Sequence, residues 1–143
     1  MKQNRFWRIA LPVGIALCTA FIWSRSLQSA AASTEDSNHL AGVFAGWFGW
    51  EADAFWLTYL VRKAAHFAEF ALLGALWGGC GRVYPWRWMA LWGLPTGVID
   101  ECLQFFAPGR APMVADVLID VAGYLCGLAI LRIFVYLRRK KIK

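Results

Sequence analysis

The sequence predicts an all-α integral membrane protein, built as a four-helix bundle with an interfacial or re-entrant segment between helices 1 and 2. The 143-residue chain is 59% hydrophobic, with a mean hydropathy of +0.47, well above an average soluble domain. It contains nine tryptophans and ten phenylalanines, the aromatic residues that collect near membrane–water boundaries. Because a membrane bundle uses most of this length, residues 1–143 form a single domain.

The basic residues predict how the bundle is oriented. The net charge is +6, and the positive side chains flank the apolar runs rather than forming one patch. They include Lys2, Arg5, Arg8, Arg82, Arg87, Arg132, Arg138, Arg139, Lys140, Lys141 and Lys143. The positive-inside rule then predicts a multi-pass membrane protein with both termini in the cytoplasm. The distribution argues against nucleic acid as a partner.

The first helix is predicted at about residues 6–23, long enough to cross the hydrocarbon core. Its basic start and the later segment 29–32, Ser-Ala-Ala-Ala, resemble a signal peptide and its cleavage site. Arg25 and the polar stretch before those alanines favour a retained helix.

The segment before the second helix is predicted to be irregular and then amphipathic. Residues 24–39 are rich in serine and small polar residues, which predicts an exposed loop. Residues 40–56 combine tryptophans with glycines, which predicts an interfacial or re-entrant segment, with a flexible aromatic loop as the alternative.

Three further helices are predicted, at about 57–80, 86–106 and 113–136. Gly78, Gly79 and Gly81 are interpreted as a stop signal for the first of these. Pro95 is expected to kink the next. A tight turn over residues 107–112 precedes the last helix, whose Gly123 and Gly127 should allow a neighbouring helix to approach closely.

Polar residues inside these apolar helices are the main indication of function, because ionisable groups are costly in a bilayer and normally face a bundle interior. Rise per residue places them at one level, in the outer half of the membrane. They are Arg62, Lys63, His66, Glu69, Asp100, Glu101, Gln104, Asp116 and Asp120, with Arg110 at the mouth. Spacings of four and three put Arg62, His66 and Glu69 on one face, which is expected to meet the acids of the later helices.

The order and spacing of these residues resemble the VanZ-like family. The resemblance rests on segment 62–70 (RKAAHFAEF), Asp100-Glu101 with Gln104, Pro108-Gly109-Arg110, Asp116 and Gly123, with Ser24 and Ser26 after the first helix. Phe70 and Asp120 depart from the pattern, where Tyr and Asn are common. The resemblance implies a bacterial multi-helix membrane protein in the context of the cell envelope and of teicoplanin resistance, a form of antibiotic resistance.

The residue types predict a site for an amphiphilic anion, and the resemblance implies that this anion is an envelope molecule, either a lipid-linked phosphate or a lipid-tailed glycopeptide. Arg62, Lys63 and Arg110 are the candidates for contact with the anionic group. The candidates for acid–base chemistry, should the site catalyse a reaction, are His66, Glu69, Asp100, Glu101 and Asp116. Gln104 is expected to orient a neighbour, and Asp120 to complete the binding site.

Three other interpretations stay open. A divalent-metal site formed by His66 and carboxylates is less favoured, because the sequence has no H-x-x-x-H or E-x-x-H pair. Its oxygen-rich ligands would favour Mg²⁺, Ca²⁺ or Mn²⁺ over Zn²⁺, and the sequence assigns no cofactor. A proton relay lacks acidic residues through the inner half of the membrane. The charges can also form an ion-pair network that sets helix register in a membrane interaction protein without catalysis.

Overall fold

The computed structural model describes residues 2–49, 54–84, 88 and 91–141. This part of the chain forms five helices: α1 (Lys2–Ser26), α2 (Ala30–Phe48), α3 (Ala54–Val83), α4 (Pro95–Gln104) and α5 (Val114–Lys141). It contains no β-strand, so the predicted all-α class is confirmed.

Helix α2 includes residues 30–39, for which the prediction of an exposed loop is wrong. The Ser29 hydroxyl caps the helix by accepting a hydrogen bond from the Ala32 backbone N–H, at 3.2 Å. Ser33, Ser37 and Ala41 follow at intervals of one turn, and all three are buried. The small residues that suggested a loop therefore form a packing face.

Helices α1 and α3 are antiparallel neighbours. Gly14 lies against Leu76, and Gly79 lies against Leu11. Near the N-terminal end of α1, the Tyr84 hydroxyl donates to the Arg8 carbonyl at 2.7 Å. The interpretation of the glycines near residue 80 as a stop signal is wrong, because α3 continues to Val83 and Gly79 provides room for α1.

Helices α3 and α5 are parallel and approach closely, as predicted for Gly123 and Gly127. A methyl group added at Gly127 would overlap the Ala71 carbonyl, and one added at Gly123 would overlap the Phe67 carbonyl. Because neither backbone can move without separating the helices, the glycines determine how closely they pack.

The connection from α3 to α5 must run back along the bundle, because those two helices are parallel. Its helix α4 has only ten residues, about 15 Å, about half of the thickness of a bilayer core. The predicted helix at 86–106 is wrong for residues 91–94, which form turns, while residues 85–87 and 89–90 lie outside the described part. Pro95 begins α4 instead of kinking it, since a proline in the first turn needs no N–H partner.

The predicted turn after α4 is confirmed and brings three elements together. The Arg110 backbone N–H donates to the Ala107 carbonyl at 3.2 Å, and Gly109 has a positive φ of 75°. The Ala30 N–H donates to the Pro108 carbonyl at 3.0 Å. The turn is thereby held against the start of α2, and Arg110 lies near the end of α1.

Candidate functional site

A buried polar layer lies where the C-terminal ends of α1 and α4 meet the first halves of α2, α3 and α5. Its buried polar side chains are Ser26, Ser33, Ser37, Thr96, Asp100, Glu101, Gln104, Asp116 and Asp120. Next to it lies an apolar cluster of Ile22, Phe70, Leu73, Tyr124 and Leu128. The charges predicted to share one level are therefore brought into one layer, which separates into several groups.

The first group surrounds a cavity of about 30 Å³, room for roughly two water molecules. Three arginines reach it from three different elements: Arg25 from α1, Arg62 from α3 and Arg110 from the turn after α4. The other lining residues are Ser33, Ser37, Ala65, His66 and Glu69. We call this space the arginine cavity.

The three arginines differ in how their charge is compensated. Arg25 Nη1 donates to Asp36 Oδ2 at 2.5 Å, an ion pair between α1 and α2. Arg62 Nη2 donates to the Thr34 hydroxyl, at 2.7 Å. Arg110 Nη2 donates to the Arg25 carbonyl at 3.3 Å. Neither Arg62 nor Arg110 has a carboxylate within 4.0 Å among the described residues.

The electrostatics of Arg110 show the same excess of positive charge. Burial lowers the pKa of its guanidinium below the ordinary value, and the nearby charge of Arg62 lowers it further. The Nε atoms of Arg62 and Arg110 are both buried and have no acceptor among the described residues. The cavity therefore has unused hydrogen-bond donors and net positive charge.

Lys63 belongs to a different group from Arg62, although the two are adjacent in sequence. Its ammonium forms an ion pair with Asp116 of α5, and the two side chains are only 14% and 12% exposed. The ammonium also lies 5.1 Å from the centre of the Tyr59 ring. Of the three residues predicted to contact an anion, Arg62 and Arg110 line the arginine cavity and Lys63 does not.

The third group joins α3, α4 and α5 through His66, Asp100 and Asp120. His66 Nδ1 lies 3.5 Å from Asp120 Oδ1, beyond the usual hydrogen-bond length. The Ser26 hydroxyl donates to Asp100 Oδ1 at 2.6 Å. Because His66 also lines the arginine cavity, this group and the cavity share a wall.

The fourth group ties the end of α4 to the start of α5. Gln104 Nε2 donates to Glu101 Oε1 at 2.8 Å, which is the orienting contact predicted for Gln104. The Met113 backbone N–H donates to Glu101 Oε2 at 2.9 Å. With both oxygens bonded, Glu101 holds a helix connection, whereas Glu69 faces the arginine cavity.

Arg25, Ser33 and Ser37 are site residues that sequence reasoning missed. The signal for Ser33, Ser37 and Ala41 was present in their spacing of four, but the composition of the segment favoured a loop. Arg25 was used only to judge the signal-peptide alternative, although it ends α1 at the level of the other charges.

The helices and the buried polar layer are typical of an integral membrane protein. Two helical segments in the described part, Arg5–Ser26 and Val114–Arg138, are long and apolar enough to cross a membrane. The family model described as VanZ/LLP1 matches residues 11–135, nearly the whole chain, so the chain belongs to the VanZ/LLP1 family. This is a family of membrane proteins linked in general to glycopeptide resistance. Searches of curated proteins and of solved structures found no match.

Proposed function

We propose that this chain is a multi-pass protein of the bacterial cytoplasmic membrane whose arginine cavity binds the anionic head group of an amphiphilic envelope molecule. One observation supports the proposal most strongly: the half-buried side chains of Arg62 and Arg110 line one cavity, and neither has a carboxylate partner among the described residues. A lipid-linked phosphate is the ligand class that this chemistry favours. A lipid-tailed glycopeptide is the alternative.

The cost of burying the arginines favours an anionic ligand. Arg62 and Arg110 are half-buried and have no carboxylate partner among the described residues, so an anion that enters the cavity offsets part of the cost of removing their charges from water. A guanidinium offers paired N–H donors in a planar fork that matches phosphate oxygens. The free Nε atoms of Arg62 and Arg110 are available for such contacts.

A second cavity beside the first favours a ligand with an apolar part. It lies between α2 and α3, has a volume of about 350 Å³, and is lined by Thr34, Asn38, Phe55, Thr58, Tyr59 and Arg62. Because Arg62 lines both cavities, a ligand whose head group contacts Arg62 can place its apolar portion against Phe55 and Tyr59.

The charge distribution supports an outward-facing site with both termini in the cytoplasm. Arg5 and Arg8 lie at the N-terminal end of α1, whereas the arginine cavity lies at its other end, beside Arg25. Arg132 and Arg138 lie in the second half of α5, away from Asp116 at its start. The positive-inside rule puts these basic ends in the cytoplasm and the cavity near the outer surface.

The second half of α2 supports the interfacial segment expected for residues 40–56. Exposed apolar side chains extend over most of its length, which suits the boundary between water and lipid. They are Leu40, Val43, Phe44, Trp47 and Phe48, while residues 50–53 lie outside the described part.

Acid–base chemistry on a bound head group is a second candidate function. His66 and Glu69 both line the arginine cavity, so a proton donor and a proton acceptor would flank the ligand. Release of inorganic phosphate from dodecyl phosphate would show that the site catalyses hydrolysis. Its absence would leave binding as the function.

The experiment is a ligand-dependent melting measurement on the purified full chain in a nonionic detergent. The probes are dodecyl phosphate, inorganic phosphate and teicoplanin. We expect dodecyl phosphate to raise the melting temperature most, since it has both a head group and a tail. Arg62→Gln and Arg110→Gln should each weaken its binding at least about tenfold, because each removes a charge-assisted contact.

Arg132→Gln is the matched control, because Arg132 is exposed and lies in the second half of α5. It should bind dodecyl phosphate as the wild type does. Equal binding by the Arg62, Arg110 and Arg132 variants would refute the arginine cavity as the site. A response to teicoplanin alone would move the ligand class to the glycopeptide.

A further inference from the structure

The buried group behind the arginine cavity has the composition of a cation site. His66 on α3, Asp100 on α4 and Asp120 on α5 each contribute one donor atom, and these three atoms lie within 4.8 Å of one another. One cation can reach all three after small side-chain rotations. Three different helices therefore bring one imidazole nitrogen and two carboxylate oxygens to one point.

This group has more hydrogen-bond acceptor atoms than hydrogen-bond donors that reach them. Asp100 and Asp120 are both fully buried, at 0% exposure. Neither oxygen of Asp120 accepts a hydrogen bond from any described residue, and Asp100 Oδ2 has no donor in that part of the chain either. His66 Nδ1 is also buried without a hydrogen bond. Buried polar atoms in native proteins are almost always paired, so these four atoms indicate a ligand.

The nearby positive side chains do not supply the missing partner. Lys63 is paired with Asp116, and Arg25 is paired with Asp36. Arg110 interacts with Asp100 only over a longer distance, because neither it nor Arg62 lies within 4.0 Å of a carboxylate among the described residues. Protonated His66 would provide one positive charge for two carboxylates, and its 3.5 Å distance from Asp120 is long for a hydrogen bond. A divalent cation with a neutral imidazole would balance both carboxylates.

We propose that His66, Asp100 and Asp120 bind a divalent transition-metal cation of the Mn²⁺ or Zn²⁺ class. The imidazole nitrogen suits Zn²⁺ and the two carboxylates suit Mn²⁺, whereas Mg²⁺ and Ca²⁺ prefer all-oxygen ligation. The Ser26 hydroxyl, which donates to Asp100 Oδ1, orients that carboxylate as a ligand is oriented in known metal sites. Three protein ligands leave coordination positions open for water or another ligand.

The immediate surroundings leave room for the two carboxylates at the metal. On α4, Gly97 lies opposite Asp120, and a methyl group there would come within 3.2 Å of the Asp120 Cβ. Phe70 lies beside Gly97 and is 1% exposed. An apolar wall of this kind excludes water and strengthens the attraction between the cation and its ligands.

The test measures metal content and metal-dependent stability of the purified full chain. Wild-type protein from medium supplemented with Mn²⁺ and Zn²⁺ should carry about one cation per chain by mass spectrometry. After chelation, added Mn²⁺ or Zn²⁺ should raise the melting temperature more than Mg²⁺ or Ca²⁺. In the Mn²⁺-loaded protein, pulsed electron paramagnetic resonance should detect coupling to a histidine nitrogen.

Asp120→Asn should lose at least nine-tenths of the bound metal and should still fold, because it removes a buried charge that lacks a partner. Asp36→Asn is the matched control, since it also neutralises an aspartate but at the α1–α2 ion pair, and it should keep its metal. Equal metal content in the two variants would overturn the proposal. If Asp120→Asn does not fold, the Mn²⁺-loaded wild type tests the proposal instead: coupling to a histidine nitrogen would support it, and the absence of coupling would overturn it.

Metal-free wild type that gains no stability from Mn²⁺ or Zn²⁺ would also overturn the proposal. In that case, a more stable Asp120→Asn variant would indicate that the two carboxylates share a proton. Metal content does not depend on dodecyl phosphate, so the cation site and the proposed anion-binding function can fail separately.

Discussion

The contact between α3 and α5 has two halves that are held together in different ways. We call the half next to the arginine cavity the outer half, and the half farther from that cavity the inner half. In the inner half, Gly123 and Gly127 let the helix backbones touch, next to the buried Leu73 and Tyr124. In the outer half, side-chain charges meet instead, as Lys63 does with Asp116. The inner half has the composition expected of a packed helix interface.

The fold requires the packed contact of the inner half, whereas it only tolerates the buried charges of the outer half. The inner contact needs no ligand, because its surfaces are apolar and complementary. The buried polar layer contains buried atoms of Arg62, Arg110, Asp100 and Asp120 that have no hydrogen-bond partner in the described part of the chain. Since such groups reduce stability, their presence in a small bundle favours a functional interpretation. Lys63 and Asp116 are the exception, because their paired charges suit a structural role.

The largest effect is expected from a side chain added to the inner half. Gly127→Leu should cost more than about 3 kcal/mol and abolish folding, since its Cβ would overlap the Ala71 backbone. Yield and melting temperature in detergent measure this loss. Gly42→Leu is the control, because nothing lies within 4 Å of the Cβ position of Gly42. Similar stability of the two variants would show that close packing does not hold the inner half.

A smaller loss is expected when the paired charge of the outer half is broken. Asp116→Asn should cost about 3 kcal/mol, because it leaves the Lys63 ammonium, 14% exposed, without its partner. Lys63→Met combined with Asp116→Leu should restore most of that stability in chemical unfolding. A double variant as unstable as the single one would show that Asp116 has contacts beyond the ion pair.

Ser26→Ala should have an intermediate effect. It removes the hydroxyl that donates to the buried Asp100, which costs about 1.5 kcal/mol. Thermal unfolding of this variant and of Ser24→Ala checks this, since the exposed Ser24 hydroxyl donates to the Phe21 carbonyl of its own helix. Equal melting temperatures would mean that Asp100 finds another donor.

The smallest change in the free energy of unfolding is expected at Arg110. The sign of this change distinguishes a charge that has a carboxylate partner from a charge that has none. Arg110→Gln in ligand-free protein should stay within about 0.5 kcal/mol of wild type, or be slightly more stable. The guanidinium has no carboxylate partner to lose among the described residues. A destabilisation as large as that of Asp116→Asn would show that Arg110 is a structural residue.

Local pattern was sufficient to predict much of this molecule. The apolar runs indicated α1, α3 and α5, and the spacing of Gly123 and Gly127 predicted a close helix contact. Periodicity also predicted that Arg62, His66 and Glu69 share a face, and all three line the arginine cavity. These properties depend on the helix repeat alone, so they can be read without knowing the neighbours.

Other features depended on which surfaces meet. Residues 30–39 form a helix because Ser33, Ser37 and Ala41 are buried against neighbouring helices. The composition of the segment does not show that this burial stabilises the helix. Arg25 joins the cavity because the end of α1 reaches it.

The sequence by itself determined that the chain is helical, apolar and charged at one level of the bundle. Only the tertiary structure decided the partners of those charges. Arg62 and Lys63 are adjacent in sequence, yet one contacts Thr34 on α2 and the other pairs with Asp116 on α5. Successive residues point about 100° apart around a helix, so the neighbouring helices determine which charge meets a carboxylate and which meets a neutral hydroxyl.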